Sequence, residues 1–146
     1  MDSTRRSLPQ LLTDARRWFE DGLLSAMEAT GATPVSPAQA QLFAVLDDHG
    51  TTVSELARRT GVTRQTAHQA VHGLVEAGLL VQLPDPGSAR RRLIRRTAEG
   101  ERAHHRATAV LDRLEGQLAE RIGKDAADAL RAALEAPWGE PPASVR

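Results

Sequence analysis

The side chains able to do chemistry gather in one part of this sequence. Residues 87–97 read GSARRRLIRRT and pack Arg90, Arg91, Arg92, Arg95 and Arg96 around Leu93 and Ile94. The planar fork of arginine matches phosphate oxygens and the acceptor edge of guanine. Upstream stand Arg64, Gln65, Thr66, His68 and Gln69. Gln pairs with adenine, Arg with guanine, and Thr can touch a thymine methyl. These are the residue types of nucleic-acid recognition. His68 and His72 have metal-ligand spacing on a helix, but a structural zinc site takes about four ligands and neither Cys nor a nearby carboxylate completes one. No metal is expected, and solvated or DNA-facing histidines are the reading of that pair. His104 and His105 are adjacent and cannot face one site. Catalysis has no candidate residues: the chain lacks Cys, a G-x-S-x-G elbow, a phosphate loop and H-E-x-x-H. Neither enzymatic activity nor a cofactor is expected.

The elements that must carry these residues follow from periodicity and caps. Residues 8–30 place Leu8, Leu11, Leu12, Ala15, Trp18, Phe19, Leu23, Ala26 and Met27 on one helical stripe, with Gly31 as a stop. Ser36 and Pro37 open a second helix that runs to the DDHG segment. Thr52 and Glu55 form a capping box for a third helix, ending at Gly61. Thr63 caps a fourth, with Ala67, Ala70, Val71, Leu74 and Val75 buried and the recognition residues on the opposite face. The period then changes: LLVQL and RRRLIRR, joined by the turn residues PDPGS, predict a hairpin. Thr97 caps a long fifth helix with a stripe from Ala103 to Ile122, and a sixth covers residues 125–135.

Two short helices joined by TGVT and followed by a hairpin predict a winged helix-turn-helix, mainly α with α+β character from the wing. The expected division is an N-terminal dimerisation helix (1–35), a DNA-binding domain (36–98), C-terminal dimerisation helices (99–136) and a flexible tail (137–146). The core must be aliphatic, because aromatic residues make up only 3% of the chain. The 146 residues carry a formal net charge of +0. Yet between Thr51 and Thr97 the only acids are Glu55, Glu76 and Asp85, against Arg58, Arg59, Arg64 and the wing arginines. Neutrality therefore averages a basic face and an acidic remainder, and DNA affinity depends on the local face. No apolar run is long enough to span a membrane, so a cytoplasmic protein is expected.

With these residues in view the chain resembles the multiple-antibiotic-resistance regulator (MarR) family. The matching stretches are VSPAQAQLFAVLDDHG, TTVSELARRTGVTRQTAHQAVHGLVEAGLL and RTAEG at the start of the long helix. The resemblance implies a homodimer interlocked through its first and last helices, binding a pseudo-palindromic double-stranded operator as a repressor. It also implies a cleft for a small apolar or aromatic effector. Trp18, Phe19 and His104 are the candidate cleft residues; core packing is the competing role for the two aromatics. Ser88 stands where the family places an Asp that braces the wing, Arg90 fills the family's Arg position, and Arg96 replaces an apolar residue before Thr97. Two other classes compete: a winged helix that binds only protein, and an edge strand that arginines merely protect from aggregation.

Overall fold

A computed structural model describes residues 5–145. Its elements are α1 (Leu8–Ala29), α2 (Pro37–Ala44), α3 (Val53–Thr60), α4 (Arg64–Glu76), β1 (Leu80–Asp85), β2 (Ser88–Arg96), α5 (Ala98–Ile122) and α6 (Lys124–Glu135). The chain divides into two compact units, one ending at Leu111 and one beginning at Asp112, so the boundary falls inside α5. The fold is a winged helix-turn-helix.

The helix starts are written in side-chain caps. Ser7 and Ser36 each make a complete capping box, with Gln10 and Gln39, and each is followed by a proline in the first turn. Thr63 Oγ1 accepts the Thr66 amide. Thr52 Oγ1 accepts the Glu55 amide, but the expected capping box is only half made: the Glu55 carboxylate turns instead to Arg58 and Arg59. The second helix also ends earlier than its periodicity predicts, at Ala44 with Val45 as its cap. Around that point the Phe43, Val45 and Leu46 carbonyls accept from Arg96 and Arg59.

In the first unit the core is aliphatic, as the composition requires. Leu42 and Leu46 from the α2 region, Leu56 and Ala57 from α3, Ala67, Ala70, Val71 and Leu74 from α4, Leu80 from β1 and Ile94 from β2 form one buried cluster. Strands β1 and β2 are antiparallel, with Gln82 opposite Ile94 and Leu80 opposite Arg96. A register irregularity at Pro84/Asp85 adjoins the turn, where Asp85 Oδ1 accepts the Gly87 amide. A third segment extends the sheet: Thr51 exchanges both backbone hydrogen bonds with Ile94, at 3.0 and 2.8 Å. Gly50 precedes it at φ +114°, where a side chain would be strained and a Cβ would crowd Leu93 and Arg95.

The RTAEG stretch locks the start of α5 to the helix-turn-helix. Thr97 Oγ1 donates to Gly78 O at 2.6 Å and accepts the Gly100 amide at 3.0 Å, while the Thr97 amide donates to Leu79 O. Gly100 is required by close approach: a Cβ there would stand 2.0 Å from Leu79 O.

The second unit contains the end of α5, α6 and the tail. Arg131 bridges Glu115 and Glu135. The tail is less free at its start than expected, because the Trp138 indole donates to Ala133 O at 2.9 Å. Residues 1–4 and 146, the outer ends of the expected N-terminal region and tail, lie outside the described residues.

Candidate nucleic-acid interface

Helix α4 separates its residues cleanly into two faces. Ala67, Ala70, Val71 and Leu74 are buried, and Arg64, Gln65, Thr66, His68 and Gln69 are exposed. The 3.6-residue repeat explains the division, since the buried positions recur at three and four. Thr63 Oγ1 donates to the Thr66 hydroxyl at 2.9 Å, so one lone pair of Thr66 is spent on the cap while its methyl stays available. His72 lies next to Glu76 at 3.1 Å, one turn on, and so faces a carboxylate rather than a metal partner. Among the described residues no group of three or more His, Cys, Asp or Glu side chains comes together as a metal site.

The hairpin carries Arg90, Arg91, Arg92 and Arg95, all exposed. Neither these nor Arg64 form an ion pair with any described residue. Their charge is therefore available to an external anion. Ser88, in the position of the family's bracing Asp, instead accepts the Arg90 amide at 3.4 Å.

Three other arginines of the basic segment do different work. Arg58 and Arg59 share the Glu55 carboxylate, and Arg59 also binds Asp47 Oδ2 at 3.0 Å and Val45 O at 2.8 Å. Hydrogen bonds from Arg58 and then Arg59 hold the Glu55 carboxyl down at about 2, and a hydrogen bond from Arg59 lowers Asp47. Arg96 does not belong to the outward wing charge with which its sequence neighbours suggest grouping it. Its side chain is 2% exposed, and its Nη2 donates to Phe43 O at 2.9 Å and Leu46 O at 3.3 Å. Arg59 and Arg96 thus cap the last carbonyls around the end of α2, which otherwise have no partner in the helix. The basic face is smaller than an arginine count predicts, and it is confined to α4 and the outer hairpin.

A cavity of about 190 Å³ lies in the first unit, walled by Leu23, Met27, Phe43, Leu74, Ala103 and His104 among others. His104 lines this cavity. Trp18 and Phe19 do not line the cavity; they pack edge-to-face on each other, ring centroids 4.9 Å apart. Leu23, Leu24 and Met27 of α1 and Phe43 of α2 line it instead. Burial, then Arg96, pushes the His104 pKa below its usual value.

Residues 33–91 match the model of the MarR family. No curated protein sequence matches the chain. Among solved structures it is similar to the transcriptional repressor CouR bound to a 23-mer DNA duplex, at 26% identity and TM-score 0.72, covering 88% of this chain and 89% of that one. CouR from Rhodococcus jostii RHA1 bound to p-coumaroyl-CoA matches at 24% identity and TM-score 0.68, over 86% and 87% of the chains. The reduced form of MarR from E. coli matches at 18% identity and TM-score 0.77, over 91% and 97%. Residues 33–91, which run from before α2 through β1 to the start of β2, are thus similar to the MarR family, and the chain shares the fold of these regulators.

Proposed function

We propose that the protein is a homodimeric transcriptional regulator that binds a pseudo-palindromic double-stranded DNA operator and represses from it. The observation that carries this reading is the polar face of α4 beside a hairpin whose arginines have no internal counter-charge. In this reading Gln65, Thr66 and Gln69 touch base edges in the major groove, with Arg64 and His68 at bases or phosphates. Arg90 enters the minor groove, while Arg91, Arg92 and Arg95 lie along phosphates. The CouR repressor, with its DNA duplex and its p-coumaroyl-CoA complex, supports a DNA-binding, ligand-responsive role for a relative of this fold.

The dimer follows from unpartnered apolar surface. No residue of α1 or α6 is buried within the single chain. Leu8 is 64% exposed and Leu134 48% exposed, on helices whose stripes have the spacing of a packed face. A second copy covering those stripes is the isologous solution. The cavity beside Phe43 and His104 is the effector site, suited to a small apolar or aromatic molecule. The protein acts as a regulator rather than an enzyme, and in the cytoplasm; no helix among the described residues is long and apolar enough to cross a membrane.

The test is a salt titration of duplex binding. The wild type should bind with a steep dependence of log K on log salt, and each phosphate-bound arginine changed to alanine should reduce that slope by about 0.9. Arg90→Ala should additionally lose more on A·T-flanked than on G·C-flanked duplex. A wild type that binds no duplex at low salt contradicts the reading.

A further inference from the structure

Arg96 is the one wing arginine turned inward, and its surroundings compensate it poorly. Its nearest carboxylates, Asp48 at 3.6 Å and Glu101 at 3.9 Å, lie beyond hydrogen-bonding distance from Nη1, and Asp48 is 95% exposed. Its Nε is buried with no partner. A buried guanidinium whose counter-charges are this distant is expensive, and its hydrogen bonds to the Phe43 and Leu46 carbonyls offset part of that cost.

Its contacts run from the wing to the cavity. The Arg96 backbone ends β2, two residues beyond Ile94, which pairs with Thr51, and immediately before Thr97, which pairs with Leu79. The guanidinium lies 5.1 Å from the centroid of the Phe43 ring. That ring contacts His104 edge-on at 6.1 Å, and both Phe43 and His104 line the cavity. One contiguous set of side chains thus joins the base of the hairpin to the cavity wall.

We propose that Arg96 is a positioning residue for the wing: through Phe43 it ties the base of the hairpin to the cavity wall, so that the seat of the wing follows the charge and packing of that wall. The inference rests on the reading of the hairpin as a wing and of the cavity as an effector site. It goes beyond that reading by naming the residue that couples the two. An occupant that displaces Phe43 removes the cation's ring contact and loosens the end of β2. A second cation at His104 does the same by repulsion.

His104 is therefore a built-in probe of the coupling. The charged and titratable groups facing it are Arg96 from β2, Asp48 from the connection between α2 and α3, and Glu101 and His105 from α5. Glu28, Glu99 and Arg106 stand around the cavity. Its lowered pKa means that the folded protein favours neutral His104. The tie is intact above the unfolded value of 6.5 and weakens as pH falls through the lower folded value.

The experiment is amide hydrogen exchange by NMR at Thr51 and Ile94 of the full chain, without DNA, from about pH 8 to about pH 5, a range that brackets histidine titration. After correction for intrinsic chemistry, exchange in the wild type should quicken severalfold as pH falls across this range. In Arg96→Met the response should be reduced, and the His104 titration midpoint should rise, although burial still holds it below the usual value. Arg96→Lys, which keeps the cation, should keep a response. His104→Gln should abolish it, and this variant carries the test if Arg96→Met does not fold. A wild type with no response, or an undiminished response in Arg96→Met or His104→Gln, overturns the proposal. Because no DNA is present, a failure of duplex binding contradicts the functional reading separately.

Discussion

The Arg96 guanidinium lies 5.1 Å over the Phe43 ring and donates to the Phe43 carbonyl, while the adjacent Arg95 is exposed on the other side of the strand. Two neighbouring residues of one type thus serve opposite ends: one holds the fold and the other is free for a ligand. Replacing Arg96 with alanine leaves the Phe43 and Leu46 carbonyls without their donor, at a cost of about 1–3 kcal/mol. Arg95→Ala should change stability by no more than about 0.5 kcal/mol. Urea denaturation of the two variants checks this, and equal losses contradict the assignment.

Gly100→Ala drives a methyl group against the Leu79 carbonyl, which is backbone and cannot swing aside. Overpacking of this kind costs roughly 1–3 kcal/mol. The thermal midpoint of the variant should fall accordingly, and a midpoint at or above that of the wild type would show that the start of α5 is not locked as described.

The exposed apolar stripe of α6 offers a test of assembly that spares the single-chain fold. Leu130 and Leu134 are 41% and 48% exposed, so changing both to Glu removes little internal packing. Sedimentation at micromolar concentration should give a dimer for the wild type and a folded monomer for the variant. A monomeric wild type contradicts the dimer.

Glu55 makes stability depend on acid. Hydrogen bonds from Arg58 and Arg59 lower its folded pKa to about 2, from 4.5 in the unfolded chain. Its contribution is present above 4.5 and is lost as pH falls toward 2. Glu55→Gln should flatten the fall of the melting temperature across that window; an unchanged slope would show that the carboxylate does not brace α3.

Much of this arrangement was legible in the sequence, and the parts that were not have physical reasons. Ser36–Pro37, Thr63 and Thr97 mark helix starts because capping is local, and the apolar spacing of Ala67, Val71 and Leu74 sets the outward face of α4 by geometry alone. The role of Arg96 was readable in principle. In a strand it points to the same side as Ile94, two residues before it, and Ile94 is a core residue. A run of arginines hides that alternation because residue type, rather than parity, catches the eye. The Thr51–Ile94 pairing left no local signal, since it joins single residues far apart in the chain. That Phe43 and Met27 line the cavity while Trp18 and Phe19 do not is decided by tertiary packing, which leaves no local signal.

A helix α4 that reads base sequence must select particular duplexes from a random pool presented to the purified protein. The wild type should enrich two half-sites related by a two-fold axis. On the best enriched site Gln69→Ala should lose roughly 1–3 kcal/mol, with little loss on random duplex. A pool that enriches no site, or a Gln69→Ala loss of equal size on selected and random DNA, contradicts the claim.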